Sequence, residues 1–228
     1  MKKVLRLLAI LAAVLLCVLP GNLAKASEEE VAEMTIFSDG SGGTLGVGTH
    51  SFLYFENISG HNITVLGNVV APGRGITVGT FGNKADGFGI YIDLEAYGIE
   101  HGDGYANRVS VTIRLTQSKL TQVNSTMESN NKWLLTKNCA WFATQAWNKV
   151  CPSNMKLSPG VIPTPATLSK NIKKISGYAT KKSVSKAYVG NDTSAVKRHK
   201  TNGTNVSVSN ATLNGSGNSS SSFFSSGS

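Results

Sequence analysis

Cys139 is the residue in this chain best placed to act as a nucleophile. It follows Asn138, a residue type that caps helices well, and it leads Ala140-Trp-Phe-Ala-Thr-Gln-Ala-Trp-Asn-Lys-Val150. Phe142, Ala143, Ala146, Trp147 and Val150 fall on one helical face, so the spacing predicts a helix over 139–150 with Cys139 in its first turn. A thiol attacks as its thiolate, and an unperturbed pKa of about 8.5 leaves little of that form at neutral pH. The first helical turn offers unpaired N–H groups and the positive end of the helix dipole, both of which favour the anion. That position separates Cys139 from an ordinary helical cysteine, which is usually a small buried hydrophobe.

A thiolate nucleophile works with a histidine that pairs with it as a cation and later protonates the leaving group. Of the four histidines, His50 opens the strand-like run His50-Ser-Phe-Leu-Tyr-Phe-Glu56. His61 lies across a turn, opposite Glu56 in the simplest register, which puts it about 15–20 Å from His50 at strand rise. His101 in a Gly-rich loop and His199 in a polar tail are expected in solvent. Asp93 and Glu95 are expected to be exposed loop carboxylates. There is no Cys-x-x-Cys or His-x-x-x-His spacing, and Gly73-x-Gly75 lacks the strand–loop–helix setting of a phosphate cradle. No metal or cofactor is expected.

These groups need a scaffold, and the chain supplies strands first. His50–Glu56 reads as a strand, Asn57-Ile-Ser-Gly60 as a turn, and Asn62–Leu66 as the returning strand of a hairpin. Gly75–Phe81 and Gly89–Leu94 give two more, and Arg108–Leu115 alternates at period two as a half-buried strand does. Helices follow. Leu120, Val123 and Met127 are spaced for one, with Thr116 or Ser118 as its cap, and Ala166–Ile175 reads as a short basic helix. Trp147 is expected in the core, and Trp141 either in the core or lining a cleft. The fold class is therefore α+β, a small antiparallel sheet packed on helices.

The run Asn138-Cys-Ala-Trp-Phe-Ala-Thr-Gln-Ala-Trp-Asn148 resembles the NC-x-x-F-A-x-x-x-W-N signature of secreted bacterial thiol hydrolases of the permuted NlpC/P60-like, papain-fold type. Gly48-Thr-His-Ser-Phe52, Leu115-Thr-x-x-x-Leu120 and Thr164-Pro165-x-x-Leu168 with Ile172 fit the same pattern, so the resemblance covers about residues 45–176. It implies a papain-like arrangement in which Cys139 is the nucleophile and His50, on a strand before it, the general base. The Cys139 N–H would then contribute to the oxyanion hole. A third group usually fixes the imidazole tautomer, and in such permuted proteins it comes from a strand after the histidine. Asn83 is the candidate here, with Asn68 beside it.

The ends of the chain suggest where it works. Lys2, Lys3 and Arg6 precede an apolar run, Leu7–Leu19, that stops at Pro20-Gly21, and Ala24-Lys25-Ala26 offers a small–x–small cleavage site. Residues 1–26 read as a secretory signal peptide. Lipid attachment at Cys17 is the competing reading, but bulky Leu16 stands where a small residue is wanted. Residues 27–48 read as a flexible acidic, then Gly-rich, lead, 49–178 as the thiol-hydrolase-like domain, and 179–228 as a disordered tail, basic and then rich in Ser, Asn and Gly. The chain is basic overall, yet residues 27–169 hold nine Lys/Arg against twelve Asp/Glu, while 170–200 hold nine against Asp192 alone. The basic arm suits an anionic envelope polymer. Helix 139–150 spans roughly 18 Å, far more than the about 5.5 Å that a disulfide allows between Cα atoms, so Cys139 and Cys151 are expected to stay unpaired.

The expected function is a secreted cysteine amidase or peptidase acting on peptide or peptidoglycan-like substrates of the cell envelope. It would be a monomer with no nucleic-acid partner. A non-catalytic surface-binding or effector domain on the same fold is the alternative, and transacylase chemistry on the same residues a third.

Overall fold

Along the strand β2 (Ser51–Asn57), Leu53 and Phe55 face one side and Phe52 and Tyr54 the other, and all four are buried. A strand apolar on both faces needs a covering layer on each. The computed structural model, which describes residues 28–41, 50–81, 89–101, 104–187, 195–200 and 203–208, has both layers. β2 lies inside an antiparallel sheet with β1 (Glu30–Ser38), β5 (Gly75–Thr80), β6 (Ile90–Ile92), β7 (Val109–Thr116), β8 (Ala179–Thr180), β9 (Lys197–His199) and β10 (Asn205–Ser207). The strand order is β10-β9-β6-β5-β2-β1-β7-β8. A separate two-stranded ribbon joins β3 (Ile63–Val65) to β4 (Asn68–Val70).

Three helices, α2 (Gln117–Ser129), α3 (Cys139–Val150) and α4 (Pro165–Ile172), cover the Leu53 and Phe55 face. Leu120, Val123, Met127, Phe142, Ala146, Trp147, Leu168 and Ile172 fill that core. Trp147 is fully buried and donates from Nε1 to the Met155 carbonyl at 2.8 Å. The other face carries α1 (Leu94–His101) together with Val184, Ala187 and Val196, packed on Phe37, Phe52, Tyr54 and Tyr91. Thr116 caps α2 and Thr164 caps α4 through their side chains. Among the described residues no helix is long and apolar enough to cross a membrane.

The α+β class stands, but several expectations need correction. The sheet is large rather than small, because both supposed flanks contribute to it. Within the 27–48 lead, Glu30–Ser38 is a central strand paired on both sides, with Val31, Ala32, Met34, Ile36 and Phe37 buried. Within the 179–228 tail, β8, β9 and β10 extend the two edges. The hairpin partner also differs: β2 pairs with β1 and β5, and β3 turns back on β4 instead. That turn is Leu66-Gly67, with φ of 47° and 73°, the type I′ pattern that joins two strands most tightly. The signal-peptide reading and Asn83 lie outside the described residues.

Candidate active site

Sheet and helices meet at one end of β2, and that is where Cys139 lies. Asn138 Oδ1 accepts the Ala140 and Trp141 N–H groups at 3.1 and 3.3 Å, which fixes the start of α3. The Ser51 and Ala140 N–H groups and the His50 ring all act on the Cys139 sulfur to lower its thiol below the ordinary value. His50 is held from its other side by Glu95, whose Oε1 lies 3.0 Å from Nε2. With Nε2 so engaged, Nδ1 is the nitrogen left for the thiol. The line therefore runs thiol, imidazole, carboxylate. Cys139 comes from the layer on one face of the sheet, Glu95 from the layer on the other, and His50 from the strand end between them.

Glu95 is the residue that sequence reasoning missed. It is fully buried and Asp93 nearly so, rather than both being exposed. Asp93 makes the turn from β6 into α1 with φ of 57°. Its backbone N–H donates to the Thr77 carbonyl at 3.0 Å, and its Oδ1 accepts the Thr77 N–H at 2.8 Å. The Thr77 hydroxyl in turn accepts the Ala96 N–H at 3.3 Å. These bonds seat the first turn of α1 on β5 and swing Glu95 over Gly79, two residues further along. Burial is the largest influence on the Asp93 carboxyl and holds it well above the usual carboxylate range.

Gly79 makes room for the pair. A Cβ there would clash with Glu95 Oε1 and lie 2.8 Å from His50 Nε2. Ala is otherwise acceptable in a strand, so Gly79→Ala should leave the sheet intact while pushing the carboxylate off the imidazole. We expect iodoacetamide alkylation of Cys139 to slow by about tenfold and the thermal midpoint to fall with the fold retained, because the displaced carboxylate stays buried without its partner, as circular dichroism would check.

The aromatic surroundings dry the site. The Phe81 ring stacks on His50 at 4.2 Å between centroids, and Tyr105 tilts over it at 5.4 Å. Tyr105 sits in a turn at φ of 57°, held in place where Asp39 Oδ2 accepts the Asn107 N–H at 2.9 Å. Asp39 also receives its own strand end, donating its N–H to the His50 carbonyl at 2.9 Å. Burial, then the charges of Glu95, Cys139 and Asp39, hold the Tyr105 phenol well above its ordinary value, so this hydroxyl stays protonated.

Electrostatics decide the protonation state of the pair. Burial is the largest single influence on Cys139 and favours the neutral thiol. The His50 cation, its hydrogen bond and the Ser51 and Ala140 N–H groups together outweigh it, and the thiol is held below its ordinary value. For His50, burial again opposes charge most strongly. The Cys139 thiolate and the Glu95 carboxylate overcome it and raise the imidazolium to about 9. Glu95 Oε2 is buried and makes no hydrogen bond among the described residues, so the hydrogen bonding of this carboxylate rests on His50. Both shifts favour the thiolate–imidazolium form of the pair over the neutral thiol and imidazole.

The other candidates are dispersed. His61 and His101 are exposed, and His101 stacks on Tyr97 at 4.2 Å. His199 is buried rather than solvated, its Nε2 2.9 Å from Glu128 Oε1 and its Nδ1 2.9 Å from Asn205 Oδ1. That contact ties β9 to the end of α2, away from Cys139. Asn68 donates to the Val65 and Leu66 carbonyls and so serves the β3–β4 turn. Cys139 and Cys151 are both free and buried, and burial pushes the Cys151 thiol up. Trp141 is half-buried against the core with the Lys137 ammonium 5.4 Å from its ring centre. Among the described residues no three His, Cys, Asp or Glu side chains converge as a metal site would. Comparisons of the chain with family models, with characterised proteins and with solved structures found no match.

Proposed function

We propose that this chain is a secreted cysteine hydrolase that cleaves amide bonds in cell-envelope peptides. The observation that carries the reading is the buried line of Cys139, His50 and Glu95 at the start of a helix. The Cys139 thiolate attacks the scissile carbonyl carbon, and the new oxyanion points at the N–H groups of the first turn of α3, that of Cys139 included. As the tetrahedral intermediate collapses, the C–N bond breaks and the His50 imidazolium gives its proton to the departing amine. The neutral imidazole then takes a proton from water, whose oxygen displaces the thiolate and frees the acid. Glu95 holds the ring in the tautomer and orientation that both steps need.

Support for the papain-like, permuted NlpC/P60-like assignment is the order of parts, a strand end bearing the histidine before a helix opening on the cysteine. Support for an envelope substrate is the signal-like N-terminus and the lysine-rich arm after residue 169. Purified cell-wall peptides incubated with the protein should gain new amine ends, read by mass spectrometry, and Cys139→Ala should release none. Equal release by Cys139→Ala, or no release by the unsubstituted protein from any envelope peptide, would refute the reading.

A further inference from the structure

Large aliphatic side chains are not scattered over this surface. Of the seven large hydrophobic residues exposed among the described residues, four sit in two short loops: Leu134 at 43%, Leu135 at 75%, Val161 at 104% and Ile162 at 69%. In the first loop Leu134 and Lys137 exchange backbone hydrogen bonds at 3.3 and 2.9 Å, leaving Leu135 at the tip. The second is closed by the Thr164 N–H on the Pro159 carbonyl at 3.0 Å. One amide joins the two loops: Asn138 Nδ2 donates to the Leu135 carbonyl at 3.2 Å and to the Pro163 carbonyl at 2.7 Å. Asn138 is also the cap of α3, so both apolar tips flank the end of the helix that carries Cys139.

The charge along this stretch of sequence is of one sign. Residues 129–191 contain ten lysines and no Asp or Glu. Lys132 and Lys137 bracket the first loop, with half-buried Trp133 beside Leu134. At the base of the second, Asn171 donates to the Ser158 carbonyl and accepts from the Lys174 ammonium. Protruding aliphatics, a tryptophan and lysines are what an interfacial anchor presents to anionic lipid. A peptide subsite would line a concavity and half-bury its own walls, whereas these side chains stand out into solvent.

We propose that the 134–135 and 161–162 loops dock the protein on an anionic lipid bilayer, with the Cys139 end of α3 turned toward the membrane. The inference is independent of hydrolase chemistry. It can be tested by sedimenting the protein lacking residues 1–26 with vesicles made of equal parts phosphatidylglycerol and phosphatidylcholine. The unsubstituted protein should bind, and Leu135→Ser with Val161→Ser and Ile162→Ser should weaken binding by at least about tenfold. Leu135→Trp should strengthen it, a gain that misfolding would not produce. Cys139→Ala should bind unchanged, which keeps this result separate from any failure of catalysis. Equal binding by the triple variant would assign attachment to the lysine-rich arm, which that variant keeps, and would overturn the proposal. No binding to vesicles, or retention on cell-wall polymer alone, would overturn it too.

Discussion

Iodoacetamide at about pH 6 should alkylate Cys139 about tenfold or more faster than Cys151. The comparison is fair, because the two residues are similarly buried, at 9% and 7% exposure. What differs is charge. Burial raises Cys151 from 9.0, so fewer than about one in a thousand of its thiols is ionised at pH 6. Cys139 is lowered by the His50 cation and two backbone N–H groups. A more acidic thiolate is intrinsically less nucleophilic, which returns part of the advantage. His50→Ala removes the cation and should abolish most of the preference, as peptide mapping of the alkylated cysteines would show. A Cys139–Cys151 disulfide, or slow and equal labelling, would contradict the active-site assignment.

Amide hydrolysis should be lost on the alkaline side while alkylation persists. Hydrolysis needs a proton on His50 for the leaving amine, and that proton departs as pH rises through about 9. The rate should then fall about tenfold per pH unit. Iodide needs no acid to leave, so alkylation of Cys139 should continue undiminished there. Stability follows a different course. The raised His50 value contributes stability below its unfolded 6.5 that is lost as pH rises from 6.5 to about 9. The lowered Cys139 value contributes stability above its unfolded 9.0 that is lost as pH falls toward the folded value. Between about 6.5 and 9 the two slopes oppose one another wherever both groups titrate, His50 lowering stability as pH rises and Cys139 raising it. The pair should thus flatten the pH dependence of unfolding free energy just below 9.0, where both groups change charge. Denaturant titrations on the protein and on the His50→Gln, Cys139→Ser double variant would isolate the term.

The parts of the site that declare themselves locally were legible in the sequence. Asn138 and the apolar face behind Cys139 announce α3 within twelve residues, and period-two alternation announces β7. His50 stands out because it opens a strand. Glu95 carries no such signal. Its helix is eight residues long with Gly98 inside it, and a carboxylate in Leu94-Glu-Ala-Tyr97 looks solvated until Gly79, sixteen residues earlier, is seen to leave it a space. β1 was hidden for another reason. It is buried on both faces, so Val31-Ala-Glu-Met-Thr-Ile-Phe37 shows no clean alternation, and the acidic residues before it suggest a linker. His199 is buried by hydrogen bonds to Glu128 and Asn205, and no hydrophobic pattern in a polar tail could foretell that.

The central claim is that Cys139 rests as a thiolate paired with His50. Ultraviolet absorbance of the thiolate, followed against pH and corrected with Cys139→Ser, measures this directly. The predicted result is a thiolate signal that rises below the 9.0 of an unassisted cysteine and is displaced upward in His50→Gln. A single step at or above 9.0, the same with and without His50, would contradict it.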